Sequence, residues 1–331
     1  MTTILIYNME NNMKKECRIK YFPVSFFSMI LGLAGFTIAF QKAEQILKIP
    51  INLSYPILII TLVFFGIIFT IYLVKIIRFK DEVKKEFNHP IKLSFFPTFS
   101  ISLLLLSIAF LSVNPIISKY LWVFGTVIHF IFTIKIISIW IQHTKFEIKH
   151  MNPAWFIPAV GNILVPVAGV SHFSPEISWF FFSVGLFFWI ILLIIFFNRI
   201  IFHTPLPEKL LPTLFILIAP PTVGFISFVK LTGEINAFSK VLYYFGLFMV
   251  FLLFAQIKIF KKIKFYLSWW AYSFPIAAIT IASILMFHET SISSFKYISL
   301  ALFGILNLII ILLLIKTSMA ISKKEICVEE E

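Results

Sequence analysis

The chain has 331 residues, of which 60% are hydrophobic, 18% aromatic and 13% charged, with 42 Phe and a mean hydropathy of +0.98. Globular domains carry about 25% charged residues, so this chain has too few polar side chains to coat a water-soluble particle of 38.4 kDa. Soluble enzymes, nucleic-acid binders and disordered chains are excluded. The composition is that of an all-α polytopic membrane protein with the lipid bilayer as its solvent.

Residues 1–21 form an N-terminal segment whose one apolar patch, Ile4 to Tyr7, is too short for a signal peptide. A bilayer core of about 30 Å needs roughly 20 apolar residues in a helix. Ten stretches meet that length: 22–44, 53–77, 94–112, 119–141, 153–170, 175–198, 210–230, 237–259, 268–287 and 294–318. They lack the alternation of a membrane barrel, and helices satisfy their own backbone in lipid. Residues 22–318 therefore read as a ten-helix transmembrane domain, followed by a tail over 319–331. Cys17 and Cys327 sit near opposite ends with no spacing motif and are expected to be free thiols on the reducing side.

Ten spans put both termini on one face. Counting span ends with the loops they adjoin, that face holds 21 Lys and Arg and the other holds 6, with Lys135 left inside span 4. The positive-inside rule makes the richer face cytoplasmic. The expected location is a bacterial inner (plasma) membrane, multi-pass, with both termini cytoplasmic.

Proline separates odd spans from even ones. Pro23, Pro97, Pro158 with Pro166, Pro220 with Pro221, and Pro275 fall in the odd spans; Pro56 and Pro175 fall in first turns of even spans, where proline is tolerated. From Pro23 through Pro97, Pro158, Pro220 and Pro275 the steps are 74, 61, 62 and 55 residues, one hairpin each. Five like-oriented hairpins make a parallel repeat. An interior proline frees the carbonyl four residues earlier, Leu93 for Pro97 and Ala271 for Pro275, and a freed carbonyl is costly in hydrocarbon. The bent odd helices are thus expected as an inner ring around a central pore, with the even helices outside.

Intramembrane charge is nearly absent. Glu44 lies at a span end, and Lys135 can snorkel from span 4 to the cytoplasmic surface. Proton pumps and carboxylate-based cation channels are disfavoured accordingly. The odd spans carry Ser25, Ser28, Thr98, Ser100, Ser102, Asn162, Thr222, Ser227, Ser273 and Thr280. Of these, Ser28, Ser100, Asn162, Thr222, Ser273 and Thr280 are the polar candidates for lining a pore with hydrogen-bond donors. Each alone can instead bond to its own helix's carbonyls. His129, in outer span 4, reads as a satisfied packing residue.

The segment Trp269-Trp270-Ala271-Tyr272-Ser273-Phe274-Pro275 resembles the ninth helix of the tellurite-resistance/C4-dicarboxylate transporter family, which includes bacterial TehA-type proteins, yeast malate permeases and plant slow-type anion channels. Phe22-Pro23 through Phe26-Phe27 with Gly32 and Gly35 is similar to its first helix. His89-Pro90 with Phe95-Phe96-Pro97, Asn152-Pro153 with Pro158 and Asn162, and Leu206-Pro207 with Ala219-Pro220-Pro221 are similar to later landmarks. The resemblance covers about residues 18–318. It implies five hairpins, a homotrimer with one pore per protomer, Phe274 as the pore-blocking gate, and small anions (chloride, nitrate, malate) as cargo. Kinase control through long phosphorylated tails, as in the plant members, is not expected.

The alternative is a C4-dicarboxylate carrier or small-molecule exporter working by alternating access. A dianion carrier needs a positive anchor, and no Arg lies in a span interior, although Arg78 stands at the inner mouth. Intramembrane proteolysis lacks its motifs: His288-Glu289 is followed by Thr290-Ser291-Ile292, and Gly169-Val170-Ser171 by His172. No cofactor and no metal are expected.

Overall fold

The computed structural model describes residues 18–142 and 144–328; Cys17 lies outside the described residues. Among the described residues the chain is helical, without strands. Among the described residues nine helices are long and apolar enough to cross a membrane: Val24–Leu47, Ser54–Arg78, Lys92–Phe110 and Pro115–Gln142 (spans 1 to 4), then Pro175–Phe202, Glu208–Thr232, Ala237–Ala255, Leu267–Thr290 and Ser293–Ser322 (spans 6 to 10). Span 5, Pro153–Gly169, is shorter and interrupted. The last helix runs to Ser322, past the expected boundary at 318, because neither Gly nor Pro follows Lys316 to stop it. A linker helix not foreseen in the sequence, Lys80–Asn88, joins spans 2 and 3. Asp81 and Glu82 in its first turn and Lys85 in its last complement the helix dipole.

The odd and even spans differ in backbone geometry. Every odd span opens with a 3₁₀ segment: Val24–Phe26, Lys92–Phe95, Pro153–Trp155, Glu208–Ile218 and Leu267–Tyr272. Even spans are α-helical from their first residue. Proline removes an i→i−4 bond, and the tighter i→i−3 pattern supplies another donor. The Leu93 carbonyl accordingly accepts from the Phe96 N–H at 3.3 Å, so it is not left bare by Pro97. Ile216, four residues before Pro220, is served by the Ala219 N–H. In span 5 neighbouring side chains also donate to backbone carbonyls. Thr133 Oγ1 donates to the Pro158 carbonyl at 2.7 Å, Trp122 Nε1 to Val165 at 2.8 Å, and Ser227 Oγ to Ile163.

Such a backbone is viable only inside protein. In the most apolar windows of spans 1, 3, 7 and 9, the buried share is 89, 89, 72 and 72%; in even spans it is between 22 and 39%. Odd spans touch in the cyclic order 1–3–5–7–9 and back to 1, and each even span packs on its hairpin partner. Five parallel-repeated hairpins thus form an inner ring of odd helices and an outer ring of even ones. Lys135 is exposed on the outer ring. Glu44, at the end of span 1, accepts from the backbone N–H groups of Leu53 and Ser54 and so caps span 2.

The two rings approach closely at Gly185 of span 6. A Cβ there would stand 2.5 Å from Ile163 Cγ1 and 2.9 Å from the Ile163 backbone nitrogen. Because backbone cannot swing aside, Gly185→Ala is expected to destabilise the detergent-solubilised protein by about 1–3 kcal/mol. Thermal unfolding checks this; an unchanged midpoint would mean that spans 5 and 6 separate more easily than the packing implies.

Candidate functional site

The five odd spans enclose a cavity of about 850 Å³. It opens on the face where the odd spans begin, among Lys20, Lys75, Lys85, His89, Lys92 and Lys209. Glu82, Glu86 and Glu325 are the acidic residues of that mouth. The hydrogen bond from Lys85 to Glu82, at 2.9 Å, together with Lys20, holds the Glu82 carboxyl below the usual carboxylate range. With five Lys against three Glu, the mouth is electropositive.

The cavity reaches the middle of the ring and stops. No residue beyond Leu31 in span 1, Ile101 in span 3, Leu164 in span 5, Val223 in span 7 or Pro275 in span 9 borders it. Its deep end is apolar on all five walls, with Leu31, Ile101, Ile163, Val223 and Phe274 contributing one side chain per odd span. Past this level the odd spans carry residues such as Ala34, Leu106 and Ala282, all fully buried. Span 7 lines the cavity with Leu210, Thr213, Ile216 and Ala219, three residues apart, as the eclipsed side chains of a 3₁₀ helix require.

Phe274 is half-buried and borders the cavity. A Cβ added to Gly35 would meet Phe274 Cδ2 at 3.2 Å and Ala277 Cβ at 3.0 Å, so the ring lies directly on the span 1 backbone. Among the kink prolines, Pro23, Pro220 and Pro275 border the cavity, whereas Pro97, Pro158 and Pro166 are buried between helices. Of the six polar candidates, Ser28 borders it, joined by Ser25. Ser100, Asn162, Thr222, Ser273 and Thr280 do not; each is buried and donates to a carbonyl three or four residues earlier. The local bond wins because a buried hydroxyl or amide without a partner is costly. Ser100 Oγ also lies 2.9 Å from His129 Nδ1. His129 is only half satisfied, since its Nε2 has no hydrogen-bond partner. Arg78 does not border the cavity. Among the described residues no cluster of His, Cys, Asp and Glu could hold a metal ion.

Leu31, Ile101, Ile163 and Val223 had no mark in the sequence. They stand at different offsets from their kink prolines, so no spacing singles them out. The tail was also unforeseen: Glu325 to Val328 turn back into the mouth, with left-handed residues at Lys324 (φ 62°) and Cys327 (φ 60°). Cys327 is a free thiol, and burial pushes its pKa up to about 11. In a Cys17→Ser background, Cys327 should react with maleimide at pH 8 about 100-fold more slowly than an exposed cysteine, because thiolate is the nucleophile. The rate should climb with pH up to about 10, and unfolding in SDS should erase the difference. A rate equal to that of a free thiol would remove the tail from the mouth.

Comparison with known proteins agrees with this architecture. The sequence profile of the SLAC1 voltage-dependent anion channel family matches residues 21–318. The S-type anion channel SLAH3 of Arabidopsis thaliana is 31% identical over 92% of this chain and 49% of its own length. An uncharacterized transporter of Methanocaldococcus jannaschii is 26% identical over 90% of this chain and 94% of its own. The tellurite resistance protein TehA homolog of Haemophilus influenzae is 23% identical over 91% of each. The chain spans only about half the length of the plant relatives it matches. With its profile matched from the first span to the last, the chain belongs to the SLAC1 voltage-dependent anion channel family.

Proposed function

We propose that this protein conducts small anions across a membrane through a pore in each protomer, closed at rest by Phe274. One observation carries the reading: a basic-mouthed cavity formed by all five odd spans ends at a constriction made of one apolar side chain from each. A narrow apolar constriction gates by excluding water, and Phe274 supplies its largest ring. The walls below the mouth hold hydroxyls and no acid, which suits an ion that must bind weakly and leave. Membership of an anion channel family and the likeness to plant S-type anion channels support small anions as cargo, and chloride, nitrate and malate are the candidates put forward here.

The basic face is the cytoplasmic one by the positive-inside rule, so both termini are cytoplasmic, and the setting is a bacterial inner membrane. The apolar outer faces of the even spans meet lipid and, in a homotrimer, two further copies. A carrier for C4-dicarboxylates is the second reading, favoured by a cavity open to one face only.

Liposomes loaded with chloride, nitrate or malate separate these readings. In a channel, Phe274→Ala should raise anion flux at least about tenfold, equivalent to lowering a barrier by ~1.4 kcal/mol, without saturation. A carrier would show saturable flux that the substitution does not release. A folded Phe274→Ala variant as silent as the parent sinks the gate.

A further inference from the structure

Three donors converge on one carboxylate in the wall of the mouth. Glu86 Oε1 accepts from the backbone N–H of Val24, the first residue of span 1, at 2.7 Å. Glu86 Oε2 accepts from Lys75 Nζ at 2.7 Å and from Tyr72 Oη at 3.2 Å. Lys75 and Glu86 are both more than nine-tenths buried and both border the cavity, as does Val24. Tyr72 is buried as well. Lys75 is fixed independently of the carboxylate, since its Nζ also donates to the Phe22 carbonyl at 2.9 Å.

The donors and the acceptor stand on different elements. Val24, Tyr72 and Lys75 belong to spans 1 and 2, while Glu86 belongs to the linker helix Lys80–Asn88, bounded by non-helical residues at Phe79 and His89. If only a tie between helices were needed, one ion pair would do. Here a cation, a hydroxyl and a free helix-start N–H address both oxygens of one planar anion, as a receptor for such an anion does.

We propose that Val24 N–H, Tyr72 Oη and Lys75 Nζ form an anion-binding site in the mouth, occupied at rest by the protein's own Glu86 carboxylate and open to a planar monoanion (nitrate, formate) when that carboxylate is withdrawn. The assignment rests on the anion-conducting reading for its use, because the site lies on the wall of the same passage. A tethered carboxylate has a high effective concentration, so it holds the site against free anions until the linker helix moves. Glu86 then acts as a resident competitor of the cargo.

Glu86→Gln keeps the side chain's size and removes its charge, leaving Lys75 without its anion. In detergent, nitrate or formate is titrated at constant ionic strength against sulfate, and the unfolding midpoint is followed. A rise of about 2 °C at tenfold excess over the dissociation constant, present in Glu86→Gln and absent in the parent and in Lys75→Met/Glu86→Gln, is the expected result. Equal shifts in all three proteins, or no shift in a folded Glu86→Gln variant, overturn the proposal. Should Glu86→Gln fail to fold, Glu86→Ala is prepared in formate and in sulfate. Recovery of folded protein in formate alone supports the site, and recovery in both or in neither overturns it. No flux enters these readouts, so they stand apart from the Phe274→Ala experiment.

Discussion

Hydrocarbon offers the peptide group no hydrogen bond, and the architecture follows from that. A spanning segment that contains proline cannot complete its own ladder, so it must find donors elsewhere or avoid lipid. The odd spans do both. Their opening turns tighten into 3₁₀ geometry, and three carbonyls of span 5 accept from Thr133, Trp122 and Ser227. Because those partners sit on adjacent helices, the bent segments are held inside the ring. The even spans, with intact ladders, face outward. A cavity among imperfect helices is the geometric result: five bent rods meeting around an axis cannot close it along their whole length.

Electrostatics divides this passage into two zones. At the mouth, charged groups sit close enough to pair, as Lys75 does with Glu86 and Lys85 with Glu82. Deeper in, the walls are Leu, Ile, Val and Phe with isolated hydroxyls. An ion crosses from a region where attraction is strong to one where it is nearly absent. Such an order suits collection at the surface followed by control at an apolar neck.

Much of the fold was legible in the sequence because its causes are periodic. Proline recurs once per hairpin, and that period distinguishes the inner ring from the outer one. The position of Phe274 beside the cavity was legible only through the resemblance carried by Trp269 to Pro275, since one Phe among 42 has no mark of its own. Most of the hydroxyls were beyond reach. Whether Thr280 or Ser100 faces packed protein or a void depends on helix rotation of a few tens of degrees, and apolar runs without a hydrophilic face do not encode rotation. Glu86 was hidden for a different reason: its partners lie 11, 14 and 62 residues away on two other elements.

The 3₁₀ stretch of span 7 has a consequence for what a travelling ion encounters. An α-helix turns its face by 100° per residue, so a wall built from it presents a spiral. Eleven residues at three per turn instead place Leu210, Thr213 and Ile216 in a straight column, with Ala219 at its end where the α-helix begins. Each rung of that column is therefore an independent step in the descent toward the neck, and the character of one rung can change in evolution without altering which side chains stand above or below it.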